Sequence, residues 1–337
     1  MSSAGRPTIF DVAKKAKVGT TTVSRVINGG HRVAPGVRER VEAVMRELHY
    51  QPNGAARSLA REKNQSIGLI VPRLSDPFFA NIAGVVQQIC RSRDHILMIS
   101  TSSDIEEQAI DELKVFEQQR VEGVLIVPPG RQSNLFRDYC HRFENRTVAI
   151  DLPVSRSSIS SVQTDNADAA TVATDHLIQH GRKRILFVGA DPDLHTLRER
   201  RRGYLEAIDG AGLRPFVADG VYSTEMMEGT LLPALKGKDS IDAIFTANST
   251  LGMFAFQVLK KHKISVPERV ALVTFDDFAL ADTLTPSVTC VAQPIDELAR
   301  TATELLFHQL DGTEVKTRRV HIPSQLILRE SCGCPAH

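Results

Sequence analysis

Three short segments near the start of the chain carry apolar residues at helical spacing. Their apolar positions are Val12, Ala13 and Ala16, then Val23, Val26 and Ile27, and then Val37, Val41, Val44 and Leu48. Thr8 with Asp11 predicts the cap of the first helix, and Pro35 suits the first turn of the third. Only a tight turn at residues 17–19 separates the first two segments. The pattern therefore predicts a helix-turn-helix unit closed by a third helix.

The pattern changes at Ser66, where short apolar runs begin to alternate with helical stretches. The runs cover residues 67–71, 96–99, 123–127, 148–150, 185–188, 243–245 and 270–275, and the helical stretches cover residues 78–91, 106–119, 167–180, 198–211, 250–262 and 295–310. Continuous apolar strands alternating with helices predict parallel sheets covered on both faces. Nine or more strands are too many for one small sheet, so we expect an α/β core of two lobes.

Charge divides the chain at the same place. Residues 1–63 hold 12 Lys and Arg against 5 Asp and Glu, whereas the whole chain of 337 residues has a net charge of only +1. A cationic head on a mildly anionic body favours a polyanionic partner for the head. A solvated basic surface without a partner explains the charge equally well, so the helix pattern must decide between them.

In a helix-turn-helix unit, the N-terminal residues of the second helix meet base edges in the major groove. Here these residues are Thr20, Thr21 and Thr22, followed one turn later by Arg25. Arg reads guanine through two parallel hydrogen bonds, and Thr can contact a base or a thymine methyl group. Ser24 and Asn28 are expected to contact phosphates. A three-helix protein-interaction module is the alternative, and the basic charge favours DNA.

The head contains the motifs TIFDVAKKA at residues 8–16, TVSRVIN at residues 22–28 and RERVEAVMRELHYQPN at residues 38–53. In these motifs it resembles the lactose/galactose repressor (LacI/GalR) family. The resemblance implies DNA contacts from Thr8 and Arg32 as well, and a hinge helix that contacts DNA through Asn53, Ala56, Arg57 and Leu59. Leu59 would wedge into the minor groove, or would alternatively pack against the core. Lys17 and Gly19 depart from the family, which has Gly and Ser at these positions.

The core resembles the periplasmic-binding-protein-like core of the same family. The motifs are IGLIV at 67–71, DPFF at 76–79, RVEGV at 120–124, RRRGY at 200–204, FDD at 275–277 and VAQP at 291–294. The fold class is thus α/β, with an N-terminal helix-turn-helix DNA-binding domain and a two-lobed core of parallel sheets. We expect that domain at residues 1–52, the hinge at 53–63 and the core at 64–337. The first lobe would contain residues 64–163 and 296–323, and the second 164–292 and 324–337.

Ligands of such sheets bind outside the carboxyl ends of the strands. Carried over by position, the resemblance implies effector contacts from Asp151, Arg200, Asn248, Asp276 and Gln293, with Phe78 and Phe79 as apolar walls. Carboxylates, amides and Arg suit the hydroxyl groups of a sugar or sugar derivative. Purine-type effectors remain the alternative. Asp165 and Asp277 are interpreted as turn or capping residues, and Arg73 and Arg131 as solvated side chains.

The sequence predicts a cytoplasmic homodimeric regulator, most simply a repressor, on a pseudo-palindromic double-stranded DNA operator. No G-x-G-x-x-G, P-loop, G-x-S-x-G or H-E-x-x-H motif supports an enzyme. No signal peptide supports a secreted sugar-binding protein, and no apolar run predicts a membrane span. No leucine heptads follow the core, which favours a dimer over a tetramer. We expect no cofactor and no metal, and Cys332 and Cys334 are interpreted as part of a loose C-terminal tail.

Overall fold

A computed structural model describes residues 7–27, 33–50, 65–313 and 317–335 of the chain. The chain divides into two compact units, Met1–Asn64 and Gln65–His337, and each is described here on its own. Across the described ranges, no helix combines the length and the apolarity that crossing a membrane requires.

The first unit contains three helices, α1 (Ile9–Ala16), α2 (Thr20–Ile27) and α3 (Pro35–Glu47). Thr8 and Asp11 form the expected capping box, in which the Asp11 carboxylate accepts the Thr8 amide at 2.8 Å. Lys17 ends α1 with left-handed backbone at φ 54°. The three apolar stripes meet in one core around Val12, Val23 and Val41. The predicted helix-turn-helix unit is confirmed.

The first lobe of the second unit has a six-stranded sheet in the order β11-β5-β4-β3-β1-β2, with every pair parallel. Its strands are β1 (Ser66–Val71), β2 (Ile96–Thr101), β3 (Gly123–Ile126), β4 (Thr147–Ile150), β5 (Ser160–Thr164) and β11 (Arg319–Ile322). Its helices are α4 (Pro77–Ser92), α5 (Glu106–Gln118), α6 (Asn134–His141) and α11 (Ile295–Leu310), and a 3-10 turn covers Glu144–Arg146. The helices bury the apolar faces of the sheet.

The second lobe has a sheet in the order β12-β10-β9-β8-β6-β7, parallel except for the pair of β10 and β12. Its strands are β6 (Ile185–Val188), β7 (Phe216–Ala218), β8 (Ala243–Thr246), β9 (Ala271–Phe275), β10 (Thr289–Ala292) and β12 (Gln325–Ile327). Its helices are α7 (Asn166–Gln179), α8 (His195–Gly210), α9 (Thr224–Ala234) and α10 (Ser249–Lys261). The predicted two-lobed α/β fold is confirmed, and the antiparallel edge strand is an addition to it.

The chain passes between the lobes three times, between β5 and α7, between β10 and α11, and between β11 and β12. Helix α11 follows a strand of the second sheet but packs on α4 in the first lobe. The carboxyl ends of β4, β8 and β9 are followed by Asp151, Ala247–Asn248 and Asp276. This topology brings polar residues from distant parts of the sequence to the boundary of the lobes.

Helices α7 and α8 pack very closely because residue 203 is a glycine. A Cβ atom at Gly203 would lie 2.0 Å from the carbonyl oxygen of Ala167, a distance that no side chain tolerates. This close approach allows Arg200, one turn earlier on α8, to reach Asn166 at the start of α7.

The interpretation of the C-terminal segment as a loose tail is wrong. Strand β12 pairs with β10, and a 3-10 turn follows at Glu330–Cys332. Ser331 donates to the carbonyl oxygen of Leu272 at 2.6 Å, and Cys332 is fully buried in the core of the second lobe. The sequence signal was weak because the segment is short and rich in polar residues.

Candidate functional site

The expected base-reading residues lie on the surface of α2. Thr21 and Arg25 are exposed, whereas Thr20, Thr22 and Ser24 are half-buried. This helix begins directly after the turn, with Thr20, Thr21 and Thr22 in its first turn.

Other expected DNA contacts fall elsewhere. Thr8 is exposed, and its hydroxyl donates to the Asp11 carboxylate at 2.7 Å. The remaining candidates lie outside the described residues; these are Asn28, Arg32, Asn53, Ala56, Arg57 and Leu59.

In the second unit, all seven candidate effector residues line a cleft between the lobes. The cleft comprises a cavity of about 300 Å³ and an adjoining one of about 160 Å³. Both cavities are bordered by Phe78, Asn248, Asp276 and Gln293, whereas Phe79, Asp151 and Arg200 border the smaller one. The carboxyl ends of the strands thus converge on one site, as parallel sheets require.

Arg200 is the buried centre of this site, with only 4% of its surface exposed. Its Nε donates to Asn166 at 2.8 Å, and its Nη1 donates to the Ala247 carbonyl oxygen at 2.8 Å and to Asp276 at 3.2 Å. The guanidinium also lies 3.7 Å from the ring centroid of Phe275. Asn166 begins α7, Ala247 follows β8 and Asp276 follows β9, so the guanidinium connects three elements of the second lobe around the cleft.

Gln293 connects the two lobes through its amide. Its nitrogen donates to Asp276 at 2.5 Å, and its oxygen accepts from the Thr164 hydroxyl at 2.8 Å. Thr164 ends β5 at one crossing between the lobes, and Gln293 follows β10 at another. The orientation of the Asp276 carboxylate is therefore fixed from both sides, by Arg200 and by Gln293.

Asp151 differs from Asp276 because the hydrogen bonds from the described residues do not satisfy both oxygens of its buried carboxylate. Among the described residues, its Oδ1 has no hydrogen-bond partner, and 7% of the residue is exposed. Burial raises the pKa of Asp151 to about 6; the Arg200 guanidinium opposes the rise, and the carboxylates of Asp276 and two other Asp residues add to it. A hydroxyl group in the cleft could supply the missing donor.

Two further carboxylates in the cleft escaped the sequence analysis. Asp76 caps α4 by accepting the Phe78 amide at 3.0 Å, and Asp104 accepts the Gly130 amide at 3.1 Å. Burial is the main cause that raises the pKa of each. Asp104 could have been found, because it follows the end of β2 as Asp151 follows the end of β4.

Aromatic side chains form part of the walls. Phe78 and Phe79 pack edge to face with ring centroids 5.1 Å apart, and Tyr222, Phe254 and Phe278 border the larger cavity. Rings beside carboxylates and amides give the cleft both apolar and hydrogen-bonding surfaces.

Some residues that border the cleft also cap a helix or form an ion pair. Asn248 caps α10 by accepting the Leu251 amide at 2.9 Å and also borders both cavities. Asp277 pairs with Arg329 at 2.8 Å and borders the larger cavity. Arg73, interpreted from sequence as simply solvated, is exposed but borders both cavities.

Asp165 and Arg131 lie away from these walls. Asp165 precedes α7 and pairs with His321 at 3.2 Å. Arg131 is exposed and pairs with Asp193 at 2.8 Å.

Comparison with known proteins covers both units. Residues 8–53 match the family described as bacterial regulatory proteins, lacI family, and residues 174–332 match the periplasmic binding protein-like domain. The transcriptional regulator CelR of Thermobifida fusca is 31% identical, and the alignment spans 97% of this chain and 98% of CelR. The ribose operon repressor of Escherichia coli is 29% identical over 96% of this chain and 99% of its own length.

Solved structures agree with the sequence comparison. A complex of CelR with cellobiose is 30% identical with a TM-score of 0.70, spanning 97% of this chain and 100% of that one. A lac repressor dimer bound to operator and to an anti-inducer shares the fold with a TM-score of 0.86 at 23% identity, spanning 97% of this chain and 99% of that one. Since the similarity to CelR extends over almost the whole sequence, the chain belongs to the lacI family of bacterial regulatory proteins and is a DNA-binding transcriptional regulator.

Proposed function

We propose that the chain is a repressor whose operator affinity changes when a neutral sugar or sugar derivative binds in the cleft. The observation that carries the proposal is the Arg200–Asp276–Gln293 network, which presents a fixed carboxylate beside the unsatisfied Asp151. Oriented carboxylates that accept hydrogen bonds are suited to the donating hydroxyl groups of a polyol.

The charges of the cleft favour a neutral ligand over an anionic one. Among the described residues, five carboxylates border it, those of Asp76, Asp104, Asp151, Asp276 and Asp277, against two guanidinium groups, those of Arg73 and Arg200. Arg200 is already engaged by the Asp276 carboxylate. A sugar phosphate or sugar acid would therefore bring further negative charge to a site with an excess of carboxylates.

The names of the relatives support a sugar. The ribose operon repressor is named for a sugar operon, and the CelR structure contains cellobiose. Neither name identifies the ligand of this chain, because the size and stereochemistry of the sugar that fits depend on residues of the cleft wall such as Tyr222 and Phe254.

The DNA-binding form would be a homodimer on a pseudo-palindromic operator. The lac repressor structure is a dimer bound to operator. Two identical heads present two recognition helices, so two half-sites would be read with the symmetry of the protein. Thr20, Thr21, Thr22 and Arg25 would read bases, whereas Thr8, Ser24, Asn28 and Arg32 would set the register on the backbone.

The proposed hinge would connect sugar binding to DNA binding. Sugar bound between the lobes would alter their separation through the three crossings, and thereby the spacing of the two hinge segments. Asn53, Ala56, Arg57 and Leu59 would contact the minor groove only when the hinges pair. Sugar shifts operator affinity only by the difference between its affinities for the two states. The cleft would thus bind its ligand without transforming it.

The proposal is tested first by thermal unfolding of the purified protein with sugars, sugar acids, sugar phosphates and purines. A ligand that binds the native state raises the melting temperature by mass action. We expect a neutral sugar to raise it, and then to change operator affinity in a DNA-binding titration. If only purines raised the melting temperature, the proposal that the ligand is a sugar would be wrong. If a sugar raised it without changing operator affinity, the proposal that sugar binding controls DNA binding would be wrong.

Asp276→Asn provides the variant for this experiment, with Asp282→Asn as its matched control on an exposed turn of the same lobe. The first substitution removes the charge that Arg200 and Gln293 orient. It should abolish the sugar response while leaving operator binding measurable. The control should respond like the native protein, and a normal response in Asp276→Asn would place the ligand elsewhere.

A further inference from the structure

Three potential metal ligands meet on the second lobe, where α7 faces the C-terminal segment, and a second histidine lies beside them. One ligand atom from each of His176, Cys332 and Cys334 lies within 4.8 Å of the others. The Cys334 sulfur lies 3.8 Å from His176 Nε2 and 3.4 Å from His180 Nε2. The cluster could not be predicted from the sequence because about 150 residues separate the histidines from the cysteines.

Local structure explains why these side chains converge. His176 and His180 are four residues apart at the end of α7, so they share a helix face, and their ring centroids lie 4.5 Å apart. Gly333 separates the cysteines with left-handed backbone at φ 106°. A Cβ atom at residue 333 would lie 3.5 Å from His180 Nδ1, so the turn runs directly beside the histidines.

Neighbouring residues of the second lobe hold the Cys332 sulfur in place. Cys332 is fully buried, and its sulfur accepts the Thr289 hydroxyl at 3.1 Å. Such a donor is the kind of outer partner that orients a thiolate ligand. Cys334 and His176 are half-buried and His180 is exposed, which leaves a path by which an ion can enter.

We propose that this cluster binds one Zn²⁺ ion through Cys332, Cys334, His176 and His180. Two sulfur and two nitrogen donors form one of the common ligand sets of structural zinc. With Zn–S near 2.3 Å and Zn–N near 2.0 Å, tetrahedral geometry requires ligand atoms roughly 3.3–3.8 Å apart. The two measured sulfur–nitrogen distances, 3.8 and 3.4 Å, already lie at this spacing.

Binding would require no redox change. The two thiols lose their protons to solvent, the two imidazoles bind as neutral donors, and the resulting complex is formally neutral. The ion would fix the 3-10 turn at Glu330–Cys332 to the end of α7 and so stabilise the folded second lobe. This proposal does not rest on the proposed function, because none of the four ligands borders the cleft.

The test begins with the full chain, purified without a histidine tag under reducing conditions and loaded with zinc chloride. Mass spectrometry of metals after dialysis should find one zinc per chain. Cobalt(II) in its place should give the visible bands of a tetrahedral thiolate complex. Absence of tightly held zinc, or a mass lower by the two thiol hydrogens of a Cys332–Cys334 disulfide under these conditions, would overturn the proposal.

Substitutions identify the ligands. Cys334→Ser and His176→Ala should weaken zinc at least about 100-fold in competition with a chromophoric chelator, since even outer partners cost about 10–100-fold. His180→Ala should weaken it at least about tenfold. Cys140→Ala and His308→Ala, in the first lobe, are the matched controls and should bind zinc normally.

Circular dichroism of each variant shows whether its fold is retained, so loss of zinc can be separated from unfolding. A chelator should lower the melting temperature of the native protein and of the controls but leave Cys334→Ser unchanged. Folded ligand variants that still bind zinc with native affinity would show that the ion lies elsewhere.

Discussion

Two carboxylates at strand ends show how position determines the chemistry of the same residue type. Asp151 and Asp276 both have left-handed backbone, with φ of 66° and 64°, which Asp tolerates better than most residues. Asp276 is hydrogen-bonded by Arg200 and Gln293, whereas Asp151 is buried and no described residue bonds to its Oδ1. We therefore expect Asp276 to fix the geometry of the ligand and Asp151 to gain most from a ligand that donates.

The raised pKa of Asp151 makes stability depend on pH. The folded-state pKa of about 6 exceeds the ordinary value of 3.8, so ionisation of the native carboxyl lowers stability as pH rises from about 4 to above 6. Asp151→Asn removes the carboxyl and therefore this pH-dependent loss of stability. The free energy of unfolding of the variant relative to the native protein should increase by at most about 3 kcal/mol between pH 4 and pH 8.

Urea unfolding at several pH values measures this difference in the free energy of unfolding. For the control variant Asp282→Asn, the difference from the native protein should not change with pH. If it did not change for Asp151→Asn either, the native Asp151 carboxyl would titrate normally. Saturating sugar should reduce the pH dependence of the native protein, because hydroxyl donors favour the ionised carboxylate.

Single residues could be predicted where a motif or a strand end marked them. Asp151, Arg200, Asn248 and Asp276 were identified in this way, and the structure places all four at one cleft. Asp76 was not, although it lies in the DPFF motif, because no strand end directly precedes it. The His176 and Cys334 pair was beyond sequence reasoning, since only the packing of the C-terminal turn on α7 brings them together.

At the scale of elements, the turn between α1 and α2 is built with an unfavourable residue. Lys17 has φ 54° and ψ 47°, a conformation that costs a residue with a side chain roughly 1–2 kcal/mol. Lys17→Gly should therefore stabilise the helix-turn-helix unit by up to about 1 kcal/mol, the gain being reduced by the entropy of glycine.

Hydrogen exchange of the α1 and α2 amides in the full chain measures that gain. Lys14→Gly is the matched control, because the same substitution three residues earlier lies within α1 and should destabilise by about 1 kcal/mol. Equal loss of protection in both variants would show that the left-handed residue is not strained.

The recognition helix α2 gives a prediction about specificity. Arg25 is exposed one turn after Thr21 and Thr22. Arg25→Ala should cost roughly 1–3 kcal/mol at one base pair of each half-site and relax preference there. Binding to a panel of single-substitution operators measures this, with Arg40→Ala on α3 as the exposed control. Equal weakening on every operator would show that Arg25 contacts only phosphate.

Elements were predictable in proportion to their apolar content. The long periodic helices and the apolar runs gave α4, β1 and β3 close to their observed bounds. Strands β5, β7, β10, β11 and β12 were missed because they are only three to five residues long, and all of them except β7 contain polar residues. Their pairing comes from neighbouring strands rather than from local preference.

At the scale of the whole molecule, three crossings join the two lobes, and one hydrogen bond connects two of them directly. Thr164 at the end of β5 donates to Gln293 after β10, and Gln293 donates to the proposed ligand carboxylate of Asp276. Any shift of Asp276 on binding sugar can thus reach both crossings. The two-lobe division could be inferred from the sequence, but this connection could not, because 129 residues separate its partners.

Thr164→Val removes the hydroxyl at almost constant volume and should weaken coupling more than sugar binding. The factor by which saturating sugar changes operator affinity should fall by about 2- to 30-fold, the range expected when a residue between two sites contributes about 0.5–2 kcal/mol to their coupling. Thr174→Val is the matched control, since its buried hydroxyl bonds within α7, to the Ala170 carbonyl oxygen. Operator titrations with and without sugar, combined with calorimetric sugar affinities, separate the two effects. If Thr164→Val lost sugar affinity while retaining the native coupling factor, the bond would serve the binding site alone, and the signal would pass between the lobes by another route.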